Sequence, residues 1–258
     1  MSLQRIGPVS VDDGGTGGMP VIFVHSLAGN TSQWSAQLGH LRKSRRAIAI
    51  DLRGHGLSRP PEDGDYSIEA LVRDIDTVVR EIGVSEFVLV GHSMGCIVSL
   101  AYAHAHPGRV AGILLADPAG DVRKVPEEEI RQFMGALESD AYAEAIEDWW
   151  NQMLNGSDEA VRSRVIEDLR STPPETVVGI FKALLQHDPL VALSAYRGPI
   201  LSIVTPFNDM PYSLHRLHPA LPHRQVSGTG HWLQMDKPGK FNRLLDEFLL
   251  SVNNRPAG

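Results

Sequence analysis

The sequence predicts an α/β domain in which a mostly parallel sheet is covered by helices on both faces and is interrupted by an inserted helical unit. Three observations carry this expectation. Over the first 120 residues, short apolar runs rich in β-branched residues alternate with stretches of helical spacing, the pattern of strands buried on both faces and joined by crossover helices. The alternation stops between residues 121 and 195, where only helical stripes occur, and then resumes. Finally, Gly91-His92-Ser93-Met94-Gly95 sits where one apolar run passes directly into another, so a strand turns sharply into a helix there.

The elements follow in chain order. Pro20 to Val24 is the first predicted strand, and Arg46 to Asp51, with Ala47, Ile48, Ala49 and Ile50, is the second. Ile68, Leu71, Val72, Ile75, Val78, Val79 and Ile82 recur near helical spacing behind Ser67, which is placed to cap a helix covering one sheet face. Phe87 to Val90 is the next strand, followed by the apolar helix that contains Cys96 to Ala101. Val110 to Ala116 and Pro199 to Val204 complete the main strands, and Gln225 to Ser227 is a last short one. Asn253 to Gly258 reads as a frayed tail.

The middle segment differs in charge as well as in period. Residues 121 to 195 hold 15 Asp and Glu against 7 Lys and Arg, a balance of −8, whereas the remainder holds 16 against 17. A solvated acidic face on an inserted helical unit accounts for this, and the predicted organisation is core over 1–120, insertion over 121–195 and core again over 196–258. Ile130, Phe133, Met134 and Leu137, then Tyr142, Ala145, Ile146, Trp149 and Met153, mark its first two helices. Val161, Val165 and Leu169, then Val177, Ile180, Phe181 and Leu184, mark two more, separated by Pro173 and Pro174. Trp149 and Trp150 point about 100° apart on a helix, so they cannot present the same face.

Composition limits the partners. A net charge of −7 argues against nucleic acid, and no apolar run of the roughly 18 residues that span a bilayer is present. Met1 to Arg5 lacks the apolar core of a signal peptide, so a cytoplasmic protein with no membrane partner is expected. The single Cys96 can form neither an internal disulfide nor a multi-cysteine metal site, and His215 and His218, although three apart, have no Cys or carboxylate ligand apparent nearby. No cofactor or metal is expected, and oligomeric state is left open.

The chemistry is carried by Ser93. A tight turn framed by glycines lifts its hydroxyl clear of the sheet and sets the next amide at a helix N-terminus, where it can stabilise an oxyanion. A serine hydroxyl needs a base within reach and a carboxylate to hold that base in the right tautomer. His231, in Gly228-Thr229-Gly230-His231-Trp232 after the last strand, is the candidate base. Asp209, shortly after the strand that ends at Val204, is the candidate acid, with Asp117 at the end of the preceding strand as its rival.

Five motifs in order, His25-Ser26-Leu27-Ala28-Gly29, Asp51-Leu52-Arg53-Gly54-His55-Gly56-Leu57-Ser58, the Ser93 turn, Asp209 and Gly230-His231, make the chain from about residue 20 to residue 250 resemble the α/β-hydrolase fold family. Asp51 to Ser58 and Ala105 to Val110 look like its branch of esterases, lactonases and cofactor-free haloperoxidases, in which a helical cap follows the strand ending near Ala116. The resemblance implies Ser93 as nucleophile, His231 as general base and then acid, Asp209 as the orienting acid, and the amides of Leu27 and Met94 as oxyanion donors. The family usually has Gly where this chain has Ser26, so its hydroxyl is expected to narrow the pocket or to touch substrate. His25 and His92 are expected to position their turns rather than to carry protons.

A serine at the nucleophile position implies an acyl-enzyme, and the substrate expected is a small-molecule ester or lactone. Trp149, Trp150, Phe133, Met134 and Met153 are available to make a mostly apolar pocket, with Ser26, Trp149 and Trp150 as the substrate-binding candidates. Carbon–carbon bond hydrolysis of a vinylogous diketone is one alternative; no Arg is clearly placed for the second carboxylate it needs, and Arg123 and Arg197, which flank the insertion, are left as candidates. A ligand receptor on a hydrolase scaffold is the other.

Overall fold

The uninterrupted apolar runs become the middle of an eight-stranded sheet in the computed structural model, which describes residues 3–253. The strands are β1 Leu3–Ile6, β2 Val9–Gly14, β3 Val21–Val24, β4 Ala47–Asp51, β5 Phe87–His92, β6 Val110–Ala116, β7 Ile200–Val204 and β8 His223–Gln225. The helices are α1 Ser35–Leu41, α2 Ile68–Glu81, α3 Met94–Ala105, α4 Glu127–Leu137, α5 Tyr142–Met153, α6 Glu159–Ser171, α7 Pro174–Gln186, α8 Pro189–Ala195, α9 Leu214–Leu217, α10 Leu233–Asp236 and α11 Pro238–Asn253. Across the sheet the order is β1-β2-β4-β3-β5-β6-β7-β8; β1 with β2 and β2 with β4 are antiparallel, and every other pair is parallel.

Alternation along the central strands divides the core in two. Ile22, Val24, Ile48, Ile50, Leu89 and Ile113 share one apolar cluster with residues of α2 and α3. Val21, Phe23, Ala47, Ala49, Val88, Val90 and Leu114 share the other with residues of α1 and α11. Ser67 caps α2 by accepting the Ala70 N–H at 3.2 Å.

Two elements depart from expectation. The hairpin of β1 and β2 carries little apolar signal, since β1 is exposed for most of its length and β2 alternates Val9 and Val11 with Ser10 and Asp12. Its turn was nevertheless written in Gly7-Pro8, where Gly7 takes φ +58°, the positive φ that a two-residue hairpin needs at its first central position. The last strand lies at His223–Gln225 rather than 225 to 227; it is exposed and polar, and the buried Val226 follows it and donates its N–H to Val204 O at 2.8 Å.

Between β6 and β7 the described residues contain α4 to α8 and no strand. Ile146, Trp150 and Met153 of α5, Val161, Val165 and Leu169 of α6, and Val177, Ile180, Phe181 and Leu184 of α7 form the buried stripes. In α4 only Leu137 is fully buried, and Ile130, Phe133 and Met134 stay partly exposed. α8 packs on α3 and returns the chain to the sheet. Among the described residues no single helix is long and apolar enough to cross a membrane. Of the predicted tail, Asn253 ends α11 and residues 254–258 lie outside the described residues.

Candidate active site

Ser93 occupies the turn between β5 and α3 with φ 52° and ψ −117°, a left-handed conformation that L residues adopt only under constraint. Both framing glycines are sterically required. A Cβ on Gly91 would lie 2.4 Å from Gly95 O, and one on Gly95 would lie 2.3 Å from Val24 O. The Ser93 N–H donates to Ala116 O at 3.0 Å, which ties the turn to β6. Cys96, in the first turn of α3, is fully buried with its Sγ 3.1 Å from Gly91 O, and burial pushes its thiol well above the ordinary value, so it is a packing residue.

His231 Nδ1 lies 2.6 Å from Asp117 Oδ2, with the histidine 4% exposed and the aspartate fully buried. This corrects the expectation for the acid: Asp209 does not contact His231. Asp209 instead takes a bidentate pair from Arg216 at 2.6 and 2.7 Å and a further contact from His215 at 3.2 Å. Hydrogen bonds from Arg216 and then His215 bring its carboxyl down to about 2. The physical reason for the exchange is that β6 and β7 are parallel neighbours with Ala116 opposite Ile203, so an acid at the end of either strand approaches the same histidine. At the end of β7 stands Thr205, whose N–H and Oγ1–H donate to the Asp117 carboxylate at 2.7 and 2.8 Å. The sequence reading missed Thr205; the only signal for it was a hydroxyl at the strand end where an acid had been sought.

Two buried histidines hold loops, His25 its own as expected, and His92 the His231 loop rather than the Ser93 turn expected of it. His92 donates from Nε2 to His231 O at 3.0 Å and faces the Gln234 amide at Nδ1 at 3.3 Å; burial, followed by the neighbouring His231, keeps it well below the usual imidazole value and so neutral. His25 donates from Nδ1 to Ser26 O at 2.7 Å and accepts the Leu52 N–H at Nε2 at 3.0 Å, and burial lowers it to about 4. It thereby fixes the loop that carries Ser26, Leu27 and Ala28. The non-glycine residues with positive φ among the described residues are Ala28, Ser93 and Asp117, one on each of three segments that converge here.

These segments and the inserted helices enclose a cavity of about 120 Å³. Ser93, His231, Leu27 and Met94 line it, and so do Ser26, Trp149 and Trp150. The two tryptophan rings meet edge to face with centres 5.1 Å apart; Trp150 reaches on toward Trp232 and Trp149 toward Phe133 and Phe181, and both line the cavity. Met153 lines it, whereas Phe133 backs Trp149 from behind, with ring centres 5.3 Å apart, and Met134 does not line it. Ser26 is 2% exposed and its Oγ has no hydrogen-bond partner among the described residues. Phe207 and Met210, about two-fifths exposed, lie on the same wall. Among the described residues that line it there is no Asp, Glu, Lys or Arg. His215 and His218 hold no cluster together: His215 pairs with Asp209 and its ring lies 4.9 Å from that of His223.

Comparison with known proteins agrees with this architecture. The chain is 27% identical over 251 residues, 89% of its own length and 80% of the other's, to an sn-1-specific diacylglycerol lipase of Mus musculus. It is 33% identical over 129 residues to the dihydrolipoyllysine-residue acetyltransferase component of an acetoin cleaving system of Pseudomonas putida, a match over 50% of this chain and 34% of that protein. Among solved structures, a thermophilic esterase of Thermogutta terrifontis superposes with a TM-score of 0.79 at 25% identity, covering 95% of this chain and 93% of that one. An N-acyl homoserine lactone degrading enzyme shares the fold with a TM-score of 0.81 at 24% identity, covering 95% and 99%. A family model described as alpha/beta hydrolase fold matches residues 19–238, and with the strand order and the Ser93 turn already in view, the chain belongs to the alpha/beta hydrolase fold family.

Proposed function

We propose that the protein is a serine hydrolase of small carboxylic esters or lactones. The observation that carries this is the buried His231–Asp117 pair opening, together with the strained Ser93, onto one uncharged cavity. Ser93 Oγ attacks the substrate carbonyl while His231 Nε2 takes its proton, and Asp117 holds Nδ1–H so that this tautomer faces the serine. The amides of Leu27 and Met94 receive the oxyanion. Collapse of the tetrahedral species expels the alkoxide, which His231 protonates, and a water activated by the same histidine releases the acid and restores Ser93.

The cavity narrows the substrate. Its volume, about 120 Å³, is near that of an apolar cavity that accepts a benzene-sized guest, so a short acyl chain or a single ring fits. Trp149, Trp150 and Phe181 supply apolar walls, and Ser26 Oγ supplies an unspent donor beside the oxyanion loop. The lipase and esterase named among the relatives support an ester carbonyl as the target. Hydrolysis of a carbon–carbon bond flanked by a second carboxylate is disfavoured by the uncharged lining: Arg123 is engaged by Asp121 and Asp188, and neither it nor Arg197 lines the cavity. A receptor without turnover is disfavoured by Ser93 and His231 lining one cavity with Asp117 held on His231 Nδ1.

The test is hydrolysis of p-nitrophenyl esters of increasing acyl length, with γ-lactones and acyl-homoserine lactones beside them. Ser93→Ala is expected to lower kcat by about 10⁴-fold or more, and a fluorophosphonate is expected to label the parent once per chain and not the variant. Turnover that survives Ser93→Ala overturns the serine mechanism, and a preference for long acyl chains overturns the small-acyl assignment.

A further inference from the structure

One buried carboxylate joins the inserted helices to the His231 loop. Asp236, at the end of α10 and 6% exposed, accepts the Gly230 N–H at Oδ2 at 3.0 Å, the Ser157 Oγ–H at the same oxygen at 2.9 Å and the Asp158 N–H at Oδ1 at 3.1 Å. Gly230 immediately precedes His231, whereas Ser157 and Asp158 lie in the turn between α5 and α6. A second strand of contact runs beside it, since the His231 N–H donates to Met153 O at 2.9 Å. The two segments are in close apposition: a Cβ on Gly230 would stand 2.2 Å from Ser157 Oγ and 3.0 Å from Met153 O. Desolvation raises the Asp236 carboxyl above the ordinary range, and its donors oppose that rise.

A second tie between insertion and core lies elsewhere. Asp168 of α6, 4% exposed, accepts the Gln33 Nε2–H at 2.9 Å and pairs with Arg164 at 3.2 Å. It holds the insertion to the turn at Thr31–Trp34, and its carboxylate bonds Gln33 and Arg164 rather than any residue of the His231 loop. The molecule therefore contains its own control.

We propose that Asp236 is a positioning residue that locks the α5–α6 turn and the His231 loop into one unit, so that the insertion sets the placement of the base as well as the shape of the pocket. The inference rests on His231 being the general base. Asp236→Asn breaks the lock whichever way the new amide lies, because its NH₂ then faces either the Asp158 N–H or the Gly230 N–H. A displacement of the base by about 1 Å is enough to lower turnover by as much as 10²-fold.

The experiment measures kcat and KM for p-nitrophenyl acetate, together with thermal unfolding, in the parent, Asp236→Asn, Ser157→Ala, Asp168→Asn and Ser93→Ala. Asp236→Asn is expected to lower kcat by about 10- to 100-fold with KM changed less than about threefold. Ser157→Ala, which removes a single donor and keeps the fold if the first variant does not, is expected to lower kcat by about threefold. Asp168→Asn is expected to lower the unfolding temperature while leaving kcat within about twofold of the parent. Equal losses of kcat in Asp236→Asn and Asp168→Asn, or an unchanged kcat in both Asp236→Asn and Ser157→Ala, overturn the proposal. Activity that survives Ser93→Ala instead overturns the underlying mechanism, and is recognised separately from any result at Asp236.

Discussion

The ends of β6 and β7 lie side by side, each is followed by an aspartate, and the two aspartates have opposite fates. Asp117 follows β6 directly, is fully buried, and receives the hydroxyl and amide of Thr205 as well as the ring of His231. Asp209 comes after the short turn Pro206–Asn208 that follows β7, and although its neighbours Asn208 and Met210 line the cavity, its own carboxylate turns to Arg216 and His215 at the surface. A buried carboxylate is tolerable only when its lone pairs are met. β7 meets them for Asp117 by being followed directly by a threonine rather than an acid, so the end of one strand supplies the charge and the end of its neighbour supplies the donors. Arg216 does the reverse for Asp209, committing its charge, together with His215, to an ion pair that solvent can reach and that lies away from His231.

The largest test of this contrast exchanges each acid for its amide. Asp117→Asn is expected to lower kcat on p-nitrophenyl acetate by about 10³- to 10⁴-fold, because an amide no longer fixes the tautomer or stabilises the imidazolium. Asp209→Asn is expected to stay within about threefold of the parent, as for a surface substitution away from the chemistry; steady-state kinetics on both variants would break the comparison if the losses were reversed. A smaller effect isolates the contribution of β7. Thr205→Val keeps the backbone donor but removes the hydroxyl, and kcat is expected to fall by about tenfold, with Thr205→Ser restoring it.

The smallest effect reads the surface acid alone. Its carboxyl is depressed from 3.8 to about 2, so the stability from its pairing is fully present above the unfolded value and is lost as pH falls through the folded one. The gap in unfolding temperature between the parent and Asp209→Asn is therefore expected to be constant near neutrality and to close between about pH 4 and pH 2. A gap that persists to pH 2 would mean that charge at Asp209 is not its source.

Much of this arrangement was legible in the residues. Gly91 and Gly95 announced a turn that only glycines permit, and the apolar runs of β3 to β6 announced strands buried on both faces, because both are local demands of backbone sterics and hydration. His231 was legible for the same reason, as a histidine in a glycine-framed loop after the sheet. The acid was not, since spacing along the chain cannot separate two aspartates whose strands are neighbours in the sheet; the choice was made by Arg216 and Thr205, whose positions are settled only by tertiary packing. The β1–β2 hairpin escaped because its edge is polar and exposed, and the exposed β8 was placed too late by the pull of Val226.

Ala28, Ser93 and Asp117 hold the left-handed conformations described above, and none of them is the glycine that would hold such a shape at no steric cost. Conformations of this kind cost on the order of 1–3 kcal/mol each, against a total stability of roughly 5–15 kcal/mol for a typical domain. The rest of the sheet must therefore be stable enough to carry a centre that opposes folding. Selection for stability alone would erode these three positions first, and a chain of this family that had given up its chemistry would be expected to show glycine there.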